Sequence, residues 1–258
     1  MLPFTSLHLA ALRIIIILLS LMPCTAPADT PKITLASSED TYNSRYGCWL
    51  QNIYQEAFSR LGYEFIYRAV PGGRAPYLAE HGEVDGELHR PYEYQQQTKN
   101  LIRVEESPFD VTIEAYVVQE NLTFHNWREL GSSGLKIEFR RGSKRAELEL
   151  KQAVAPWLLS DVTSTEQGLK KLLRGRTHVF IEQSLVFQDV VASLIPTSES
   201  YKHIYSAGIV DELPSHAYLN KRHIQLTHDL ATAIKQMKAE GLITVYKNAP
   251  CTSNKNNH

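Results

Sequence analysis

Arg90 follows the third strand-like segment, and its planar, paired donors suit a carboxylate. It reads either as an anion clamp or as half of a surface ion pair with Glu87 or Glu93. Arg74, just after Pro71-Gly72-Gly73, either adds a second positive contact or opens a helix in solvent. Arg141-Gly142-Ser143 stands where a strand runs into a helix. Free backbone N–H groups and the positive end of the helix dipole favour an anion there, and glycine allows close approach. Ser143 equally reads as a helix cap. The wider run Arg140 to Arg145 is strongly basic, a pattern that usually marks a solvated face. Glu182-Gln183 follows an apolar strand at its C-terminal end, where open α/β sheets hold ligands. Its carboxylate suits an ammonium group, or simply a helix start.

Weaker candidates surround these. Thr163-Ser164-Thr165-Glu166 reads first as a cap, with Ser164 or Thr165 a secondary ligand contact. Glu39, Tyr42 and Tyr46 follow the first strand, and Tyr116 lies in a later one; the tyrosines are as well suited to packing. Asp85 is assigned to the turn around Gly86. No Gly-x-Ser-x-Gly, His-Glu-x-x-His or phosphate-loop pattern occurs. His223 and His228 miss helical i, i+4 spacing by one position. The residues therefore point to binding without catalysis, cofactor or metal.

The elements that must position these side chains alternate in type. Lys32 to Ala36 is strand-like, and Leu50, Ile53, Tyr54, Ala57, Phe58 and Leu61 trace one helix face before Gly62. Tyr63 to Arg68 is a strand, Arg74 to Glu80 a short helix, and Val84 to Leu88 a third strand. Leu101 to Val104 and Ile113 to Val118 look extended. A second β-α series follows: strand from Leu135, helix to Ala153, strand at Asp161-Val162, helix Thr165 to Leu173, strand from His178, helix to Leu194. A last strand near His216 to Leu219 precedes a helix carrying Leu226, Leu230, Ala233, Ile234 and Met237. That final segment has no sheet of its own, so it packs back on the first half. The rhythm predicts α/β architecture with mainly parallel sheets.

The N-terminus reads as an export signal, with Arg13, the apolar run Ile14 to Met22 and Ala26-Pro27-Ala28 before a cleavage site. Its apolar core is about half the roughly 20 residues that span a bilayer. The mature chain is thus expected in the periplasm, without ATP or NAD chemistry. A net charge of −1 argues against nucleic acid. Cys48 and Cys251 remain after processing, and in an oxidising compartment the pair reads as a disulfide rather than two thiols.

Several motifs together resemble the family 3 extracellular solute-binding proteins, the amino-acid-binding-like receptors of ABC transporters. They are Gly82-Glu83-Val84-Asp85-Gly86, Ile137 to Ser143, Gly168 to Arg176, and Met237-Lys238-Ala239-Glu240-Gly241. The resemblance implies a two-lobed periplasmic binding protein fold of type II: residues 1–28 a signal, 29–117 one lobe completed by 214–258, and 118–213 the other. Two crossover strands, near Tyr116 to Glu120 and Val210 to Ser215, would join lobes that close over a solute. It implies a monomer delivering a small polar, carboxylate-bearing solute to an ABC permease. Alternatives are a sensory protein signalling to a membrane partner, or a dehydratase-like enzyme using Glu39, Glu87 and Glu182. Two departures stand out. The Thr-x-x-Arg segment usual after the third strand is replaced by Tyr94-Gln95-Gln96-Gln97-Thr98-Lys99, and the usual ammonium-binding Asp by Glu182-Gln183.

Overall fold

The computed structural model describes residues 29–250. The expected signal, residues 1–28, and Cys251 lie outside them. Strand β1 (Lys32–Ser38) runs into the single turn α1 (Glu39–Tyr42), which Ser38 caps by accepting from the Thr41 amide. Ser44 caps α2 (Arg45–Arg60), whose Leu50, Ile53, Tyr54, Ala57 and Phe58 share one buried face. Gly62, at φ 78°, stops that helix. Next come β2 (Glu64–Val70), α3 (Arg74–Glu80), β3 (Gly86–Arg90) and β4 (Leu101–Arg103). The second series is β5 (Asp110–Val117), α4 (Trp127–Ser132), β6 (Ile137–Arg140), α5 (Lys144–Ala153), β7 (Leu159–Val162), α6 (Thr165–Leu173), β8 (Val179–Gln183), α7 (Ser184–Leu194) and β9 (Tyr205–Pro214). The chain returns through β10 (His216–Asn220), α8 (Ile224–Ala239) and α9 (Leu242–Asn248).

The strands form two sheets, ordered β2-β1-β3-β10-β4 and β7-β6-β8-β5-β9. In the first, β10 alone runs against its neighbours; in the second, β5 does. Both opposing strands occupy the fourth place in their sheet. The halves thus share one plan, and each sheet is mainly parallel, as expected. Apolar clusters cover both faces of each sheet. In the first half, Ile33, Leu35, Phe65 and Leu219 pack with α2 and α8, including Leu230, Ile234 and Met237. Ala36, Val70 and Tyr218 pack with α3 on the opposite face. In the second half, Ile113, Ile137 and Ile181 meet α4 and α5, while Phe180 and Val162 meet α6 and α7. Burying a Leu or Ile side chain contributes about 1.5–3 kcal/mol, so these layers supply most of the driving force. The C-terminal helices α8 and α9 pack in the same cluster as α2.

The crossing between halves differs from expectation. Residues 110–117 pair with β8, at Ile113 against Gln183, and with β9, so they belong to the second sheet. The outward connection therefore runs through 104–109, ahead of Tyr116 to Glu120, and the return passes 214–216. An alternating strand pattern shows which side chains are buried but not which sheet receives them. The two connections lie side by side: the Ser215 amide donates to the Phe109 carbonyl at 3.2 Å, and His216 Nδ1 sits 2.9 Å from the Val104 carbonyl.

Candidate functional site

The C-terminal ends of β3, β6 and β8 meet around a cavity of about 70 Å³. Ser38, His89 and Arg90 line it from the first half, and Arg140, Ser143 and Glu182 from the second. Ser215, on the return connection, closes one side and donates to or accepts from Tyr46 Oη at 2.7 Å.

Arg90 is 8% exposed. Its Nε donates to Glu87 Oε2 at 2.6 Å, and Nη2 donates to the same oxygen. Its Nη1 reaches across to the Gly142 carbonyl at 3.0 Å. Arg90 is therefore ion-paired with Glu87 behind and lines the cavity in front. Burial works against its charge, but Glu87 outweighs that and holds the guanidinium above its ordinary pKa. Arg140, 5% exposed, repeats the arrangement from the other half. Its Nε donates to Glu182 Oε2 at 2.6 Å and its Nη2 to Oε1 at 3.2 Å, while Nη1 crosses to Ser38 Oγ at 2.8 Å. Burial again opposes the charge, and Glu182 again raises the pKa overall.

Further bonds tie the halves together. Asp40 Oδ2 accepts from the Thr165 amide at 2.6 Å and from Thr165 Oγ1 at 3.0 Å, placing a carboxylate on the positive end of α6. Arg45 Nε donates to Asp189 Oδ1 at 2.8 Å. Gly142 has φ 89°, and a Cβ there would stand 2.8 Å from the Gly73 nitrogen. A Cβ on Gly72 would stand 2.4 Å from the Thr163 carbonyl oxygen. Two glycine turns therefore touch at the mouth, and the cleft is closed.

The sequence candidates distribute unevenly. Arg90, Gly142, Ser143, Glu182 and Gln183 reach the cavity. Ser143 occupies the position before α5 but makes no capping bond, so its hydroxyl is left to the cavity. Glu182 serves Arg140 and Thr165 rather than offering an open carboxylate. Arg141 borders the cavity, yet its side chain is 54% exposed and pairs with Asp161 at 2.6 Å. The inward arginine is its neighbour, Arg140. Arg74 and Glu39 are exposed and stand off the cavity wall. Tyr42 packs edge-on against Tyr67 at 4.8 Å, and Tyr116 stacks on Phe187 at 3.3 Å, both within the core layers. Ser164 caps α6 through the Gln167 amide.

Sequence reasoning passed over Arg140, Ser38 and His89. A signal for Arg140 existed: Ile137 and Phe139 enter one core layer, so strand alternation turns Arg140 the other way. His89 Nε2 lies 2.8 Å from Ser37 Oγ. Burial first, then the Arg90 and Arg140 charges, hold its imidazole well below the ordinary range, so it is neutral near pH 7.

This architecture is the two-lobed fold of periplasmic binding proteins. A mutant of ArgBP from T. maritima superposes with TM-score 0.65 at 13% identity, covering 84% of this chain and 93% of its own. An arginine transport periplasmic binding protein of Legionella pneumophila gives TM-score 0.63 at 13% identity, over 84% and 97%. A histidine kinase sensor domain with similarity to periplasmic binding proteins gives 0.66 at 9% identity, over 85% and 96%. By sequence, the chain belongs to one family with an uncharacterised protein of Shewanella oneidensis, 35% identical over 222 residues that span 86% of this chain and 83% of the relative. No family model matches the chain.

Proposed function

We propose that this protein is a periplasmic receptor that closes over a small carboxylate-bearing solute without transforming it. The observation that carries this reading is the pair Arg90 and Arg140. Each arises at the C-terminal end of a strand in a different sheet, each lines the same cavity, and each donates to the opposite half. A solute carboxylate between them would bind both halves at once and so favour the closed form. The side-by-side connections 104–109 and 214–216 are the hinge. Fold likeness to transport receptors supports delivery to an ABC permease. The likeness to a kinase sensor domain supports a second use, in which the closed form signals to a membrane partner.

The test is a thermal-shift and calorimetric screen of the mature chain against amino acids, small organic acids, sugars and polyamines. A ligand at one hundred times its Kd should add about 2.7 kcal/mol of stability. Recovery of unchanged ligand separates a receptor from an enzyme. Permease or kinase ectodomain capture by the liganded form separates the two uses. Absence of any stabilising compound across the panel would overturn the reading.

A further inference from the structure

The cavity wall is rich in hydrogen-bond donors but has no acid left to receive an ammonium group. Among the described residues, the carboxylate on that wall is Glu182, and it is saturated. Its Oε1 accepts from Arg140 Nη2 at 3.2 Å and from the Gln183 amide at 2.8 Å; its Oε2 accepts from Arg140 Nε at 2.6 Å and Thr165 Oγ1 at 2.7 Å. The next acids stand behind the arginines. Glu87 is fully buried and off the wall, and Asp40 is held by Thr165 at the start of α6.

Donors, by contrast, remain. A guanidinium carries five N–H groups. Arg90 uses three, on Glu87 and the Gly142 carbonyl, and Arg140 uses three, on Glu182 and Ser38. Among the described residues, the others have no acceptor. The uncapping hydroxyl of Ser143 adds another donor. An oxyanion completes this wall. An ammonium group brought alongside it would be buried next to two guanidinium groups with no counter-charge.

Building on the receptor reading above, we propose that the cleft selects small organic acids that lack an amine, hydroxy or oxo acids in place of α-amino acids. The two arginines hold the carboxylate, and the missing acid rejects the amino analogue. This sets the chain apart from fold neighbours whose names specify arginine.

Titration calorimetry with pairs that differ only in the amine tests the selection: malate against aspartate, lactate against alanine, 2-oxoglutarate against glutamate. At least one acid should bind with a Kd about 100-fold or more below that of its amino partner, the scale set by an unpaired buried charge. In Ser143→Asp, which supplies an acid at the wall, that ratio should narrow. Equal or tighter binding by the amino acids overturns the selection and leaves the receptor reading standing; binding by a polyamine alone overturns both the selection and the carboxylate-bearing solute. No heat from any compound, in these pairs or a wider panel, removes both.

Discussion

Arg90 and Gly142 face each other across the cleft. The guanidinium Nη1 donates to the glycine carbonyl at 3.0 Å while the glycine backbone rests against Gly73 of the first half. The contact needs an arginine long enough to cross the gap and a residue with no Cβ to receive it. Arg140 and Ser38 make the reciprocal bond at 2.8 Å. Closure is thus built from bonds running in both directions, and each can be cut separately.

Gly142→Ala should open the cleft. The new Cβ would lie 2.8 Å from the Gly73 nitrogen, a clash that separating the halves relieves, whereas the φ of 89° is strained in either form. The strain costs about 1–2 kcal/mol. Gly62→Ala is the control, because its φ of 78° carries similar strain with nothing within 4 Å. Small-angle scattering should show a larger radius of gyration for Gly142→Ala alone. Equal radii would refute a steric contact at the mouth.

Removing Arg90 should abolish ligand binding and also destabilise the fold. Arg90→Ala leaves Glu87 fully buried without its partner, a loss of about 3–5 kcal/mol. The double variant Glu87→Gln, Arg90→Met removes the stranded charge and should recover much of the melting temperature. Binding should stay absent in both, and its return in the double variant would dismiss Arg90 as a ligand contact.

Adjacent arginines should behave oppositely. Arg140→Ala strands Glu182 and should cost about 3–5 kcal/mol together with ligand affinity. Arg141→Ala breaks an exposed pair with Asp161 and should change stability by no more than about 0.5 kcal/mol. Denaturant melts of the two variants, run in parallel, give the comparison directly.

Stability should fall between pH 7 and 5.5. Burial holds His89 and His216 below the ordinary value of 6.5 in the native state, so the unfolded chain takes up protons first as pH drops. The unfolded state then binds more protons, and the free energy of unfolding decreases with falling pH. The stability is fully present above about pH 6.5 and is lost toward the native-state values. His89→Gln should flatten the slope in this window, as read by melting temperature. An unchanged slope, or an NMR titration of His89 near 6.5, would contradict neutral burial.

Peptide mapping without reductant should find Cys48 joined to Cys251. Lys247 Nζ lies 5.1 Å from the Trp49 ring centre, so the end of α9 returns to the helix that carries Cys48. The bridge would close a loop of about two hundred residues, worth at most about 5 kcal/mol by chain entropy. Alkylation of both cysteines in the exported, unreduced protein would exclude it.

The α/β rhythm and the helix faces were legible in the chain. Each rests on periodicity, which burial enforces locally: Leu50, Ile53, Tyr54, Ala57 and Phe58 are all buried along α2. That Arg90, Gly142 and Ser143 stand at strand ends and a helix start was legible for a related reason, since local sequence pattern sets where elements begin and end. Sheet membership was not. Residues 110–117 read as a strand, yet their partners β8 and β9 lie about seventy and a hundred residues further on, and pairing at that distance leaves no local mark.

The choice between Arg140 and Arg141 shows the same division at one site. Composition supplied two cations side by side, and strand alternation separates them, but only the packed structure brings Glu182 from β8 and Ser38 from β1 to receive one of them. Glu182 likewise reads as an open acid in the chain and proves to be enclosed by Arg140 and Thr165. A residue's type and its place in an element follow from local forces. Which charge neutralises it follows from segments far away in sequence, and that contact decides what remains for a ligand.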